Sequence, residues 1–296
     1  MKIVFVAVFT PNSTNVSQSR GFKENGVDVI EFDYRNIASE LGSMNKRDDK
    51  LIELCKNEKP DLVVFSKCNM MHYRVVDEIN KVSKTCMWYM DAMHNFNNEL
   101  IQKSVRVNYF ISGVEGVTDF ASKYCDNTIF VNQCPDDKMN FMLENFSYKD
   151  DITFIGSSDS SKIHNNRKTY INFLNKNFNN FKHYNGVYGL EHNKIVNESK
   201  INLNFSPTDS TGVSVRIYKI LASGGFLMST PWKDLEKTFK VDRDIVIFNN
   251  ETELQEKINF YLNNEDKRND IRMNGYKKVA QYLPKRWAKK IINYCK

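Results

Sequence analysis

The stretch "TDSTGVSVRIYKILASGGFLMST", residues 208–230, joins a polar run of hydroxyls, one acid, one glycine and one arginine to an apolar segment cut by two glycines. With a helix starting near Gly212, Val213, Ile217, Ile220, Leu221 and Gly224 fall on one face at the 3.6-residue period. Arg216 lies at the edge of that face, with Lys219 one turn further round. The Gly224–Gly225 pair ends the helix and lets the strand "FLMS" approach it closely. A loop of hydroxyls and backbone N–H groups ahead of a helix N-terminus suits phosphate oxygens, because the helix dipole adds roughly half a positive charge there. Arg216 offers a planar two-pronged donor and Lys219 a point charge. Read locally, the same residues also fit a capped surface helix with a solvated Arg and Lys. Spacing alone leaves both readings open.

Outward from this segment, strand-like runs alternate with helix-like ones along the whole chain. In the first half these are "KIVFVAVF", "VDVIEFDY", "PDLVVFS", "TCMWYMDA", "VNYFISG" and "NTIFVNQ", with helical patterns at 17–25, 47–58, 73–84 and 115–123. A second series runs "DITFIGS", "FKHYNGVYG", "INLNFS", "GFLMS" and "DIVIF", with helices at 165–177, 191–199, 213–223, 251–263 and 265–281. Short β runs separated by helices imply parallel sheets built of βαβ units. The fold class is therefore α/β, with two Rossmann-like domains of parallel strands facing a central cleft. Residues 1–148 form the first domain and 149–280 the second. Residues 281–296 are a basic amphipathic helix that packs back on the first domain through Trp287, Ile291 and Ile292.

In such a fold, ligands sit beyond the carboxyl ends of the strands. The hydroxyl-rich loop after the first strand, with Asn12, Ser13 and Thr14, is one candidate lining, and "GSSDSS" from Gly156 is its counterpart. Asp91 ends the aromatic strand "MWYM" with His94 a short turn on, as a candidate base or acceptor-positioning carboxylate. An N-cap of the following helix is the competing reading for Asp91, and a structural or surface role for His94.

The 296 residues, 41% hydrophobic and 26% charged, describe a globular protein. No apolar run nears the roughly 18 residues of a membrane span, and the N-terminus lacks the pattern of a signal peptide. A cytoplasmic protein is the expectation. Six scattered cysteines and five histidines show neither a CxxC pair nor HExxH spacing, so no metal is expected. "DRD" at 242–244 sits in a charged turn and is not read as a metal site, and "GVEG" at 113–116 is read as a turn. The net charge of +6 suits phosphate-bearing ligands, nucleic acid or an anionic surface without choosing among them. The Asn, Lys and Ile bias is that of an A+T-rich genome, as in a low-GC bacterium or a bacteriophage.

From "SKINLNFS" to "GYKKV" the order is an Asn-rich strand, a hydroxyl/Gly loop, Arg-x-aromatic, "ASGGF", "DLE", a strand and the helix "TELQEKINFYL". This order resembles the C-terminal half of the CgeB-like glycosyltransferases, related to spore-maturation proteins. The likeness is specific over about 190–280 and collinear elsewhere. It implies the two-domain GT-B fold and a nucleotide-sugar co-substrate, UDP-linked, with no further cofactor. By resemblance, Gly156, Ser157 and Arg167 lie near the diphosphate or sugar, and Tyr184 to Gly189, including Tyr188, lie beside the base. Thr211, Gly212, Arg216 and Lys219 surround the diphosphate and ribose. The implied acceptor is a surface saccharide or DNA carrying hydroxymethylated pyrimidines. The chain departs from the family where many members carry Glu: it has Lys219 at one position and Thr211 at the other, with Asp209 the nearest acid. A non-catalytic sugar- or phosphate-binding protein of the same fold is the alternative.

Overall fold

The computed structural model describes residues 1–158, 165–206 and 212–296. The chain forms two compact units, Met1–Gln133 with Pro284–Lys296, and Cys134–Leu283.

The first unit runs β1 (Lys2–Ala7), α1 (Thr14–Lys23), β2 (Asp28–Asp33), α2 (Tyr34–Glu40), α3 (Met44–Glu58), β3 (Leu62–Ser66), α4 (Arg74–Ile79), β4 (Lys84–Tyr89), α5 (Asn98–Ser104), β5 (Tyr109–Ser112), α6 (Glu115–Ala121) and β6 (Thr128–Phe130). Its parallel sheet has the order β2-β1-β3-β4-β5-β6. Strands covered on both faces read as unbroken apolar runs, and Ile3, Val4, Phe5 and Val6 of β1 are fully buried. Helix α1 begins three residues earlier than its apolar pattern suggests, because the Ser13 hydroxyl caps it by accepting from the Asn15 N–H at 3.2 Å.

The second unit runs β7 (Asp150–Ile155), α7 (Asn165–Asn177), β8 (Phe181–Tyr184), α8 (Gly189–Asn197), β9 (Ser199–Asn204), α9 (Val215–Ala222), β10 (Leu227–Ser229), α10 (Leu235–Thr238), β11 (Val246–Ile247), α11 (Glu251–Asn263) and α12 (Glu265–Val279). Its parallel sheet has the order β11-β10-β9-β7-β8. The order reverses between β7 and β9, the topological switch point where open α/β sheets bind ligands.

Two features refine the domain reading. Residues 134–148 group with the second unit, held there because Asn193 and Asn197 of α8 accept from the backbone N–H groups of Phe141 (3.0 Å) and Leu143 (2.9 Å). The last helix, α13 (Pro284–Tyr294), belongs to the first unit. There Trp287 packs edge-on against Phe22 and Trp88, at 5.4 and 5.2 Å between ring centroids. Its charged face, Lys285, Arg286, Lys289 and Lys290, is exposed.

The glycine pair of the opening stretch ends α9 in a Schellman motif. Gly225 N–H donates to the Ile220 carbonyl (2.9 Å) and Gly224 N–H to the Leu221 carbonyl (3.0 Å). Gly224 takes the left-handed φ of +70° that this cap requires.

Candidate functional site

At the switch point of the second sheet the chain places two guanidinium groups on one aromatic ring. Phe154, in β7, is fully buried. The guanidinium carbon of Arg216 lies 5.1 Å from its ring centroid, and that of Arg167 lies 5.4 Å away. The ring of His183 stacks on Phe154 at 5.5 Å, and its Nε2 lies 2.7 Å from the Gly156 carbonyl oxygen. Cation–π attraction favours each guanidinium at this distance from the ring.

Each arginine reaches this place from a different element. Arg167 projects from α7 and donates to the Ser157 carbonyl at 3.0 Å and the Phe205 carbonyl at 3.4 Å. Arg216 stands in the first turn of α9, whose N-terminus the Ser214 hydroxyl caps by accepting from Arg216 N–H. Its Nη1 donates to Asn204 Oδ1, at the end of β9, at 2.9 Å. Gly156 makes room for it, since a Cβ there would lie 2.6 Å from Arg216 Nη2.

The electrostatics are one-sided. Arg167 is 6% exposed, and its buried Nε has no hydrogen-bond partner among the described residues. Burial pushes its guanidinium down to about 10. Burial first, and then the charge of Arg167, pushes Arg216 down to about 9. Lys219, one turn along α9, is lowered by burial and by Arg216, with Asp136 and Cys134 acting in the opposite direction. Among the described residues none of these three cations forms an ion pair with a carboxylate. Like charges held partly out of water in one place raise the cost of each other's charge.

Of the residues singled out from the sequence, Gly156, Ser157, Arg167 and Arg216 are brought together, and Lys219 adjoins them. Gly212 is buried two residues before the Ser214 cap. Tyr188, 62% exposed, and Gly189 open α8, so they begin the helix whose next turn carries His192. Thr211 and Asp209 lie outside the described residues, as does the end of "GSSDSS". Asn204 and His183 escaped the sequence reading. Both sit on strands, and only the sheet order shows which strand ends meet.

In the first unit, Ser13 caps α1, Thr14 is its first residue and Asn12 is exposed in the preceding turn. Asp91 follows β4 and forms an ion pair with Lys67, which follows β3. Ala92, not Asp91, occupies the N-cap of the short turn that carries the exposed His94. Lys67 and Cys68 take left-handed φ values of +65° and +47°. The buried Lys103 ammonium donates to the Cys68 carbonyl at 2.8 Å and so anchors this loop. In the "DRD" turn, Asp244 accepts from the Lys240 N–H at 3.0 Å and faces Arg243. No cluster of His, Cys, Asp and Glu able to hold a metal ion occurs among the described residues. No helix among them is long and apolar enough to cross a membrane.

The family model described as glycosyl transferase-like matches residues 139–293, just over half of the chain. The chain belongs to the glycosyl transferase-like family. The match contains the whole arginine cluster. No curated protein matches this glycosyl transferase-like chain. Among solved structures, it is similar to a glycosyltransferase from Rickettsia africae ESF-5, at 12% identity over 99% of this chain and 97% of that one, with a TM-score of 0.65. It is also similar to HepE of Anabaena, determined in complex with UDP and glucose, at 9% identity over 99% and 98%, with a TM-score of 0.69. Sucrose-phosphate synthase of Thermosynechococcus elongatus matches at 9% identity over 99% and 97%, with a TM-score of 0.63. These likenesses, with two parallel-sheet α/β units, give the chain the GT-B fold.

Proposed function

We propose that the protein transfers a sugar from a nucleoside-diphosphate sugar, UDP-linked, to an acceptor hydroxyl. The observation that carries this reading is the pair of guanidiniums on Phe154, beside Asn204 and Gly156, with no carboxylate ion-paired to either among the described residues. Two cations match the two charges of a diphosphate diester. The Anabaena structure with UDP and glucose supports the choice of nucleotide.

In this reading the second unit, Cys134–Leu283, holds the donor and the first, Met1–Gln133 with Pro284–Lys296, receives the acceptor. Arg167 and Arg216 grip the diphosphate, Lys219 and Gly212 adjoin it, and Tyr188–Gly189 lie beside the base. The bond between the anomeric carbon and the diphosphate oxygen breaks with its electron pair on that oxygen. Arg216 and Arg167 stabilise the charge that develops, without a metal ion. The acceptor oxygen bonds to the anomeric carbon, and its proton passes to the Asp91 carboxylate as general base. Asn12, Ser13, Thr14 and His94 orient the acceptor. The acceptor is a saccharide hydroxyl or a hydroxymethylated pyrimidine in DNA, and the CgeB-like group is the proposed subfamily. The proposed location is the cytoplasm.

A panel of UDP-, GDP- and TDP-sugars in a thermal-shift assay tests the donor. A melting temperature that no donor raises sinks the reading, and so does Arg216→Ala retaining full activity. Mass spectrometry of saccharide and of hydroxymethylated DNA after incubation, with and without a chelator, identifies the acceptor and tests metal independence. One observation favours a non-catalytic binding protein instead: Asp91, the proposed base, is engaged by Lys67. Any turnover of an activated donor excludes that alternative.

A further inference from the structure

The cations of the last helix have no part in the scheme above. The thirteen residues from Pro284 to Lys296 hold Lys285, Arg286, Lys289, Lys290 and Lys296, with no Asp or Glu. They therefore carry five of the chain's six net positive charges, and the rest of the chain is close to neutral. Helical spacing separates charge from apolar bulk. Trp287, Ala288, Ile291 and Ile292 are buried, while Lys285, Arg286, Lys289 and Lys290 share the opposite, exposed face. The helix is closely seated on α1. A Cβ at Gly21 would lie 2.3 Å from the Pro284 carbonyl oxygen, so only glycine admits the contact. Asn25, just after α1, donates to the Lys285 carbonyl at 2.8 Å. Packing of Trp287 on Phe22 and Trp88 completes the seat. On α1 and β2, Glu24 faces Arg20 at 3.6 Å and Glu31 faces Lys23 at 2.6 Å, so these acids have cations of their own.

We propose that the exposed face of α13 is a docking surface for the phosphate backbone of duplex DNA, bound without regard to sequence. A helix that lies on a membrane buries its own apolar face among the lipids. Here that face is occupied by Phe22 and Trp88, and none of the exposed large apolar side chains lies within 284–296. What the helix offers is charge alone, at high linear density. At 1.5 Å per residue, the four cations of 285–290 amount to about one positive charge per 2 Å of helix axis. Duplex DNA carries about one negative charge per 1.7 Å of its own axis. Each cation that meets a phosphate releases a counterion condensed on the duplex, and that release drives binding. The surface does not rest on the donor reading, because no residue of the arginine cluster takes part.

The test is fluorescence anisotropy of the full chain with a labelled 20-base-pair duplex of unmodified DNA, from 50 to 200 mM NaCl. With four phosphates neutralised, log Kd rises with log salt at a slope of about 3.6, roughly a 150-fold loss of affinity over that range. The fourfold variant K285Q/R286Q/K289Q/K290Q loses most of that slope, and Lys289→Gln alone lowers it by about 0.9. The variant K285R/K289R/K290R keeps the slope, since the surface uses charge. All four side chains are exposed, so the melting temperatures stay native. The proposal is overturned if the fourfold variant, melting as native, binds the duplex with an unchanged slope. It is overturned too if the native chain leaves the duplex free at 50 mM salt. Vesicles containing 30% phosphatidylserine are the competing arm. Preference of the native chain for them over the duplex, lost in the fourfold variant, makes α13 a membrane-facing surface and refutes DNA. Should the fourfold variant fail to fold, Lys289→Gln decides: a fall of about 0.9 in slope supports the proposal, and no change overturns it.

Discussion

Replacing Arg216 with Gln separates binding from stability at the arginine cluster. In the native protein, a donor at one hundred times its Kd stabilises the folded state by about 2.7 kcal/mol. For a unit of 150 residues that corresponds to a rise in Tm of roughly 5–10 °C. Charge-assisted hydrogen bonds contribute about 1.5–3 kcal/mol each. Losing the guanidinium's fork thus weakens the donor on the order of 100-fold. At the same donor concentration the remaining stabilisation is about 0.4 kcal/mol, and the shift shrinks to about 1 °C. The ligand-free protein responds differently. Arg216 is lowered to about 9 by burial and by Arg167, so its charge works against the fold below that pH, and the burden lifts as pH rises further. Discounted for its partial exposure, this is on the order of 1 kcal/mol. The shorter Gln gives up the bond to Asn204, a loss of about 1 kcal/mol. The two effects offset each other, and the apo Tm stays within about 2 °C of native. Differential scanning fluorimetry with and without donor reads both numbers. A fall of more than about 6 °C in the apo form, with the donor shift intact, would mean that Arg216 is a structural strut and would refute the reasoning.

Gly156→Ala places a Cβ 2.6 Å from Arg216 Nη2. It should weaken donor binding at least about tenfold by calorimetry, because the added carbon crowds both the Arg216 guanidinium and, at 3.0 Å, the Phe154 ring it rests on. Asp91→Asn should lower kcat by about 10²–10⁴-fold with the donor-induced melting shift preserved, the signature of a general base; unchanged turnover removes Asp91 from that role. Glu253 is lowered to about 2 by its hydrogen bond with Lys257 and those of Asn249. Its stabilisation is therefore present above pH 4.5 and lost as pH falls toward 2. Glu253→Gln should cost about 1 kcal/mol at pH 7 and nothing near pH 2, read from denaturant melts at both. Trp287→Ala removes the side chain wedged against Phe22 and Trp88. It should destabilise the first unit by about 3–5 kcal/mol in urea titration.

The alternating runs made both sheets legible in the sequence, because strands buried on both faces announce themselves by composition. The close of α9 was legible too, since few residues other than glycine tolerate the φ of Gly224. The start of α1 was not, because a helix set by the Ser13 hydroxyl owes nothing to apolar period. Residues 134–148 gave no sign of joining the second unit, as their ties run to Asn193 and Asn197, more than fifty positions away. Arg216 stood out beside its hydroxyl loop. Its sharing of Phe154 with Arg167 follows from the β7–β9 adjacency, which one strand pattern cannot fix. His192 carried no signal: a histidine one turn into a polar helix reads as surface until the packing of α8 on α9 buries it. Lys67 was missed because its ion pair with Asp91 depends on a left-handed turn that a lysine rarely takes.

The place of α13 in the first unit has a consequence for how the chain is made. The sheet of that unit is complete on paper by residue 133, but its last helix follows only after the 150 residues of the second unit. At about 5–20 residues per second of synthesis, the nascent first unit waits roughly 8–30 s for Trp287. Until then Phe22 and Trp88 lack the Trp287 ring that packs on both. The second unit, contiguous in sequence, can finish before the first. On the ribosome, therefore, the second unit can fold while the first still lacks α13.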